Sequence, residues 1–324
     1  MAAIFDFADN TLLKSWTNVR VGETKIGEVL STVDSMETLA IASSKYVIMG
    51  ATEDVGVVEN GGIAGAATAW ESFLKAWLNI QDNGLLPTSK ILILGHWHFV
   101  EDGSDAQAQI HSLDLQLAEQ IQKIVALGKI PILIGGGHNN ALGMINGLAA
   151  GKGSPINIIN LDPHADLRTL EKRHSGNGFS FAIEAGNLNK YFILGLHEAY
   201  NNLHILNTIQ EKKQIQALFF EDIFMRNRLN WEGAIDQALA FVQDAPYGLE
   251  LDMDALANTL SSALTPLGIS AKEAVRFLYK AGKRASYLHL PEGIYQRADG
   301  MEQKTIGKLQ AYLVQAFIKG QEEN

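Results

Sequence analysis

The sequence predicts an α/β fold: a single three-layer domain in which helices flank an eight-stranded, mostly parallel sheet. Three observations predict it. Short apolar runs recur along the 324 residues, segments with helical periodicity separate them, and no Pro/Ser-rich linker or change of composition divides the chain. Such alternation is typical of βα units, which build parallel sheets. One large domain of this length is common.

The first 45 residues fit the alternation poorly, so residues 1–45 are expected to form a lead-in segment and residues 46–324 the main α/β domain. The apolar runs predict strands at 46–49, 90–94, 130–134, 156–161, 191–194, 217–220, 247–251 and 286–290. The helical periods predict helices at 66–79, 105–127, 140–149, 231–242, 271–281 and 301–318.

The composition narrows the possible partners. The chain has 36 acidic and 26 basic residues and a net charge of −10, which argues against nucleic-acid or membrane-surface binding. No stretch approaches the ~20 apolar residues that span a bilayer. The absence of cysteine excludes disulfides and thiolate metal ligands, and it fits a cytoplasmic location.

Histidine and aspartate side chains follow three of the predicted strands. They are His138, Asp162, His164, Asp166, Asp252 and Asp254. The carboxyl ends of parallel strands meet at one edge of a sheet, and alternate residues of an extended segment point to the same side. We therefore expect these side chains to converge.

Taken singly, each aspartate could cap a helix and His138 could be a core histidine. Taken together, buried carboxylates and imidazoles are costly unless a charge neutralises them. Two divalent cations would balance the four carboxylates. The combination predicts a binuclear metal site of a hydrolase.

The clusters resemble the motifs of the ureohydrolase (arginase) family, which includes arginases, agmatinases and formimidoylglutamases. Those motifs are Gly-Gly-Asp-His, Asp-Ala-His-x-Asp and Ser-x-Asp-x-Asp. The similar segments here are Gly136-Gly137-His138, Asp162-Pro163-His164-Ala165-Asp166 and Glu250-Leu251-Asp252-Met253-Asp254. The resemblance covers residues 46–290, makes the main domain arginase-like and catalytic, and implies the family's eight-stranded parallel sheet.

The resemblance also implies a mechanism and a ligand assignment. Asp162 and Asp252 would bridge two Mn²⁺ ions, with His138 and Asp166 completing one site and His164 and Asp254 the other. Other divalent transition metals suit the same ligands. A shared water, its pKa lowered, would attack an amidine or guanidine carbon, and Asp166 would accept the first proton. The family resemblance further implies a homo-oligomer, a trimer or hexamer.

The segment 174–179 resembles the family's substrate loop. His174 and Asp166 are the candidate catalytic residues. Ser175 and Asn177 would hydrogen-bond an amino-acid end of the substrate, unless they only form a turn. Arg168, in an Asp-Leu-Arg sequence similar to formimidoylglutamases, would pair with a carboxylate, unless it forms an ordinary surface salt bridge.

Three departures from the family pattern keep alternatives open. Gly137 replaces an aspartate, Glu250 replaces a serine, and His289, a further candidate substrate-binding residue, stands where the family has a guanidinium-binding glutamate, with Glu292 close by. The predicted function is hydrolysis of N-formimidoyl-L-glutamate to L-glutamate and formamide, a step of histidine catabolism. The alternatives are another amidino or guanidino substrate, or a metal-binding family member that has lost catalysis and has a binding or regulatory role.

Overall fold

The computed structural model describes residues 3–100, 103 and 105–323. In this part of the chain ten strands form one sheet. They are β1 (Ile4–Phe7), β2 (Ser31–Thr32), β3 (Tyr46–Thr52), β4 (Ile91–His98), β5 (Ile130–Gly135), β6 (Ile156–Leu161), β7 (Leu188–Leu196), β8 (Ile215–Phe219), β9 (Tyr247–Leu251) and β10 (Leu288–Leu290).

The strand order is β1-β4-β3-β5-β10-β9-β6-β7-β8, and β2 pairs with β4 outside this path. Every pairing is parallel except that of β1 with β4. The mostly parallel α/β sheet is therefore confirmed, with β3 to β10 corresponding to the eight predicted strands. β1 and β2 are additional strands at one edge, in the segment predicted as a lead-in. The boundary at residue 45 stays a prediction.

Helices cover both faces of the sheet. They are α1 (Asn10–Ser15), α2 (Ile26–Val29), α3 (Met36–Ile41), α4 (Val55–Glu59), α5 (Ala69–Trp77), α6 (Ala106–Ala126), α7 (Ala141–Lys152), α8 (Gly178–Glu184), α9 (Leu203–Glu211), α10 (Phe220–Phe224), α11 (Trp231–Val242), α12 (Ala271–Ala281) and α13 (Ile306–Glu322). Within the described ranges, none is long and apolar enough to cross a membrane.

Two apolar cores separate the three layers. Side chains of α5, α11, α12 and α13 pack on one face, and those of α6, α7 and α8 pack on the other. The central strands are buried on both faces, which explains their nearly continuous apolar sequences. The carboxyl ends of β5, β6 and β9 consequently open at the same edge of the sheet, where each continues into one of the polar clusters.

Candidate metal centre

His138 lies at the centre of the predicted ligand cluster, directly after β5. Its Nδ1 atom is 3.0 Å from Asp166 Oδ2, 3.0 Å from Asp252 Oδ2 and 3.3 Å from Asp162 Oδ2. Carboxylates that follow two strands, β6 and β9, therefore surround one nitrogen of the imidazole that follows β5. The structure brings these four predicted ligands together.

His164 forms a second group with the two remaining predictions. Its Nδ1 atom is 3.1 Å from Asp254 Oδ2 and 3.5 Å from Asp162 Oδ1. Asp162 thus directs one carboxylate oxygen toward each histidine. A ligand shared between two cations needs this position, although the bridging role itself stays a prediction.

Local backbone structure explains how the clusters are held. Gly135 and Gly136 have φ angles of 82° and 69°, so the chain turns sharply after β5 in a conformation that glycine adopts without strain. The first aspartate of each later motif fixes its own turn: Asp162 Oδ1 accepts a hydrogen bond from the His164 N–H, at 2.6 Å. Asp252 Oδ1 likewise accepts from the Asp254 N–H, at 2.9 Å.

Several atoms of the cluster fit a cation. Among the described residues, His138 Nδ1 and Asp254 Oδ1 have no hydrogen-bond partner. Leaving such a buried polar atom unsatisfied costs about 1–3 kcal/mol. Carboxylate oxygens and imidazole nitrogens are the ligands that manganese and related divalent metals accept. The donor set therefore suits one or more divalent cations.

The electrostatics of the cluster also favour positive charge. Burial opposes protonation of His164, but the Asp254 and Asp162 carboxylates prevail and raise its pKa to about 12. Burial raises the pKa of Asp254 to about 6, and burial with the neighbouring Asp254 charge raises the pKa of Asp252 well above its ordinary value. The carboxylates outnumber the histidines, so added positive charge stabilises the ionised site.

A cavity of about 340 Å³ opens over these ligands. Arg168 and Ser175 line it together with His164, Asp166 and the two aspartates after β9. Arg168 is exposed, and the Ser175 hydroxyl accepts a hydrogen bond from Asn60 Nδ2 at 3.1 Å. The structure therefore places two of the four predicted substrate-binding residues, Arg168 and Ser175, beside the candidate metal centre, and their substrate contacts stay predictions.

Asn177 and His174 lie deeper in the same loop. The buried Asn177 Oδ1 accepts hydrogen bonds from Arg173 Nη1 and from the His174 N–H, which fixes the loop conformation. The Nδ1 atom of His174, whose residue is 2% exposed, accepts from the Gly176 N–H at 3.1 Å. These contacts hold the loop, and the predicted substrate and catalytic roles of the two residues stay predictions.

His289 and Glu292 occupy different levels of the site. His289 is fully buried beneath the cluster, where its Nδ1 atom is 2.6 Å from Glu250 Oε2. Glu292 lines the cavity and accepts a hydrogen bond from Ser262 Oγ at 2.7 Å. Its φ angle of 62° turns the chain after β10 and directs the residue toward Asp252 and Asp254. A carboxylate is thus present over the metal centre, whereas the predicted substrate contact of His289 stays a prediction.

Two further features of the site were not predicted from the sequence. The Tyr200 ring stacks on the His164 ring with centroids 5.6 Å apart, and His197 stacks on the other side of Tyr200 at 5.1 Å. Glu53, 3% exposed at the end of β3, accepts hydrogen bonds from the Gly137 N–H and from Asn140 Nδ2. Neither an aromatic residue after a strand nor a buried glutamate forms a sequence motif by itself.

A larger cavity, about 1190 Å³, lies elsewhere, between β1, α1, α5 and β4. Its walls include Trp16, Trp70 and His96 and contain none of the six predicted ligands. The smaller cavity is therefore the one associated with the metal-binding chemistry.

Comparison with known proteins assigns the family. The model of the arginase family matches residues 44–288. A formimidoylglutamase of Streptococcus pyogenes serotype M3 is 33% identical over 180 residues, which cover 52% of this chain and 54% of that protein. The chain thus spans about half the length of the curated relatives it matches.

Solved structures share the fold at low identity. A formiminoglutamase of Trypanosoma cruzi with Mn²⁺ has a TM-score of 0.74 at 19% identity, covering 92% of this chain and 98% of that one. The formimidoylglutamase of Bacillus subtilis has a TM-score of 0.78 at 15% identity, covering 94% of both chains. Because the family match includes all six candidate ligands and most of the sheet, the chain belongs to the arginase family.

Proposed function

We propose that this protein is a hydrolase that uses two Mn²⁺ ions to cleave the C–N bond of a non-peptide amidine, with N-formimidoyl-L-glutamate as substrate and L-glutamate and formamide as products. The observation that carries the proposal is the convergence of three carboxylates within 3.3 Å of one nitrogen of His138. Asp162 joins this group to the group around His164, and this arrangement supports a two-cation site.

A bound pair of divalent cations would lower the pKa of water and so supply a nucleophile at neutral pH. The chain's own residues would provide the remaining chemistry. Asp166 is the candidate acceptor of the first proton, since it lines the cavity and its carboxylate is only 13% exposed. Proton transfer to the departing nitrogen would complete the reaction.

Substrate recognition would use opposite charges at two sides of the cavity. The exposed guanidinium of Arg168 suits a substrate carboxylate, with which it can form two hydrogen bonds. Glu292 suits the positively charged amidine, because its carboxylate faces the metal ligands rather than the solvent and is 5% exposed. A zwitterionic substrate with an acidic end and an amidinium end fits both.

The relatives support the same chemistry. The similar protein of S. pyogenes is named formimidoylglutamase, and the T. cruzi formiminoglutamase was solved with Mn²⁺. The first of these similarities covers about half of each chain, so substrate identity rests on experiment.

The test is turnover by the purified, Mn²⁺-loaded protein. N-formimidoyl-L-glutamate, arginine, agmatine and guanidinobutyrate are assayed in parallel for release of formamide, urea or ammonia, with Asp162→Asn as the inactive control. Formamide release from N-formimidoyl-L-glutamate, with kcat/KM at least tenfold above the other substrates, is the expected result.

Other outcomes would overturn parts of the proposal. Preferential release of urea from a guanidino compound would show that this compound, rather than N-formimidoyl-L-glutamate, is the substrate. Glu292 would then bind its guanidinium group. No release above the Asp162→Asn control from any substrate would favour the metal-binding protein without catalysis. The predicted trimer or hexamer and the cytoplasmic location stay predictions, which sedimentation and cell fractionation can test.

A further inference from the structure

A buried polar network lies directly beneath the candidate metal centre. Glu250 sits in the middle of β9 and is fully buried. Its Oε1 atom accepts a hydrogen bond from the Tyr287 hydroxyl at 2.6 Å, and its Oε2 atom is 2.6 Å from His289 Nδ1. A buried carboxylate is costly unless charged or polar partners compensate it, and here two donors do so.

Strand pairing and a glycine create this network. Glu250 and His289 are Cα partners on the adjacent parallel strands β9 and β10, so their side chains project side by side. A Cβ atom at Gly248 would come within 2.3 Å of the Tyr287 ring. The absence of a side chain at Gly248 therefore lets Tyr287 lie across β9 and reach the carboxylate of Glu250.

The network faces the imidazole of His138. Glu250 Oε2 is 3.5 Å from His138 Nε2, whereas His138 Nδ1 points to the opposite side, toward Asp166 and Asp252. Phe179 contacts the same imidazole edge-on, with centroids 5.2 Å apart, and so restricts the tilt of the ring. His138 thus has its two nitrogens in separate environments.

An imidazole that binds a metal through one nitrogen carries its proton on the other. Which nitrogen is free depends on the partner of the protonated one, and such partners fix both the tautomer and the ring orientation. In this site, carboxylates that could hold a cation surround Nδ1, and Glu250 is the carboxylate that faces Nε2.

We propose that Glu250 is a positioning residue for His138: its carboxylate, 3.5 Å from Nε2, favours the proton on that nitrogen and thereby keeps the unprotonated Nδ1 directed toward the cation site. Tyr287 and His289 hold the Glu250 carboxylate in the orientation that this contact requires. The inference rests on the proposed metal-dependent function. It gives a role to Glu250 and His289, two of the three positions at which the sequence analysis found a departure from the family pattern.

The same three residues, His138, Glu250 and His289, lie close enough together to suggest a separate cation site. Both oxygens of Glu250 already accept hydrogen bonds, one from Tyr287 and one from His289. These bonds hold the carboxylate in place beside His138, as the positioning role requires. The two arrangements differ in stoichiometry: a separate site would add a cation that disappears in a Glu250 variant while binding at the other sites stays unchanged.

The test is Mn²⁺ binding by the full chain, measured by isothermal titration calorimetry with electron paramagnetic resonance of the bound ions. In Glu250→Gln we expect the dissociation constant of one Mn²⁺ to rise about 10- to 100-fold, the usual effect of removing such a supporting carboxylate. The spectrum should change from that of a coupled pair to that of a single ion. Thermal unfolding without metal reports separately on any general loss of stability.

Two tyrosines of similar burial provide a matched pair of variants. Tyr287→Phe removes one hydrogen bond to Glu250, and Tyr247→Phe removes a hydroxyl that donates to the Ala281 carbonyl on the other face of the sheet. We expect Tyr287→Phe to weaken Mn²⁺ binding about threefold or more, and Tyr247→Phe to leave it unchanged. This pair keeps the proposal testable if Glu250→Gln fails to fold.

Three results would overturn the proposal. The first is unchanged Mn²⁺ affinity in Glu250→Gln. The second is equal weakening of Mn²⁺ binding by Tyr287→Phe and Tyr247→Phe. The third is loss of one additional cation in Glu250→Gln while Mn²⁺ binding at the other sites stays unchanged. If the unmodified protein itself binds no Mn²⁺, the proposed function fails together with this inference. If it binds Mn²⁺ and the variants bind equally well, only the positioning role fails.

Discussion

The carboxylate of Glu53 and the backbone N–H of Gly137 form a buried hydrogen bond of 2.9 Å. Glu53 also accepts hydrogen bonds from Asn140 Nδ2 at 2.8 Å and from the Val55 N–H at 2.9 Å. The end of β3 is thereby tied to the turn that carries His138. A Cβ at Gly137 would come within 2.3 Å of Asn139 Oδ1, so the aspartate of the family motif would require the Asn139 side chain to move.

Glu53→Ala should destabilise the protein by about 3 kcal/mol or more, because two buried donors and one partly buried donor would lose their acceptor at once. Urea unfolding of the metal-free protein measures this change. Glu71→Ala is the matched control: this glutamate is 60% exposed on α5, and its removal should cost less than about 0.5 kcal/mol. A cost below about 1 kcal/mol for Glu53→Ala would contradict the assigned role.

Arg168→Ala should raise KM for N-formimidoyl-L-glutamate about tenfold and change kcat little, because the guanidinium is proposed to bind a carboxylate remote from the reacting carbon. Arg228→Ala removes an equally exposed arginine that pairs with Asp222 away from the cavity, and it should leave both constants unchanged. Steady-state kinetics with Mn²⁺ measure KM and kcat for both variants. An unchanged KM in Arg168→Ala would show that Arg168 does not bind the substrate carboxylate.

Glu292→Gln should lower kcat/KM about 30-fold or more, because the variant keeps the size of the side chain but loses the charge that would bind the amidinium group. Mn²⁺ content should stay that of the unmodified protein, which separates substrate binding from metal binding. Glu302→Gln is an exchange of the same kind at a more exposed position, and we expect it to have no effect. A kcat/KM within threefold of the unmodified protein would show that Glu292 does not hold the substrate.

Glu322 should contribute pH-dependent stability at the end of α13. Partial burial opposes its ionisation, but hydrogen bonds from Lys90, Tyr46 and Lys45 prevail and lower its pKa from 4.5 to about 2. A lowered pKa in the folded state stabilises the protein above the ordinary pKa, and this contribution is lost as the pH falls through the folded value.

The corresponding measurement is the difference in unfolding free energy between the unmodified protein and Glu322→Gln as a function of pH. We expect about 1–2 kcal/mol at pH 7, decreasing between about pH 4.5 and pH 2 as Glu322 becomes protonated. A difference that stays constant over this range, or grows toward low pH, would contradict the assigned ion pairs.

The sequence predicted the parts of the fold that long apolar runs encode. The eight strands from β3 to β10 are nearly continuous hydrophobic segments, and the ligands after β5, β6 and β9 follow them directly. β1 and β2 escaped prediction because they are short edge strands, one of them only two residues long. In β1 the pairing with β4, rather than a buried apolar run, defines the strand.

The site was less predictable where the position of a side chain depends on backbone geometry or on residues far away in the sequence. Alignment with the family motif placed His289 at the position of the family glutamate, with Glu292 close by. The strand ends at Leu290, and the left-handed backbone of Glu292 turns its side chain into the cavity, which alternation cannot anticipate. Glu53 acts on a turn 84 residues away in sequence, and only the sheet brings the two together.

Six side chains are proposed to form a site for two divalent cations, and metal stoichiometry is the direct test of that site. The purified protein is loaded with Mn²⁺, freed of excess metal and measured by inductively coupled plasma mass spectrometry beside Asp162→Asn, which removes the carboxylate facing both histidines. We expect about two Mn²⁺ per chain in the unmodified protein and a marked loss in the variant. Less than about one Mn²⁺ per chain, or equal content in both proteins, would contradict it.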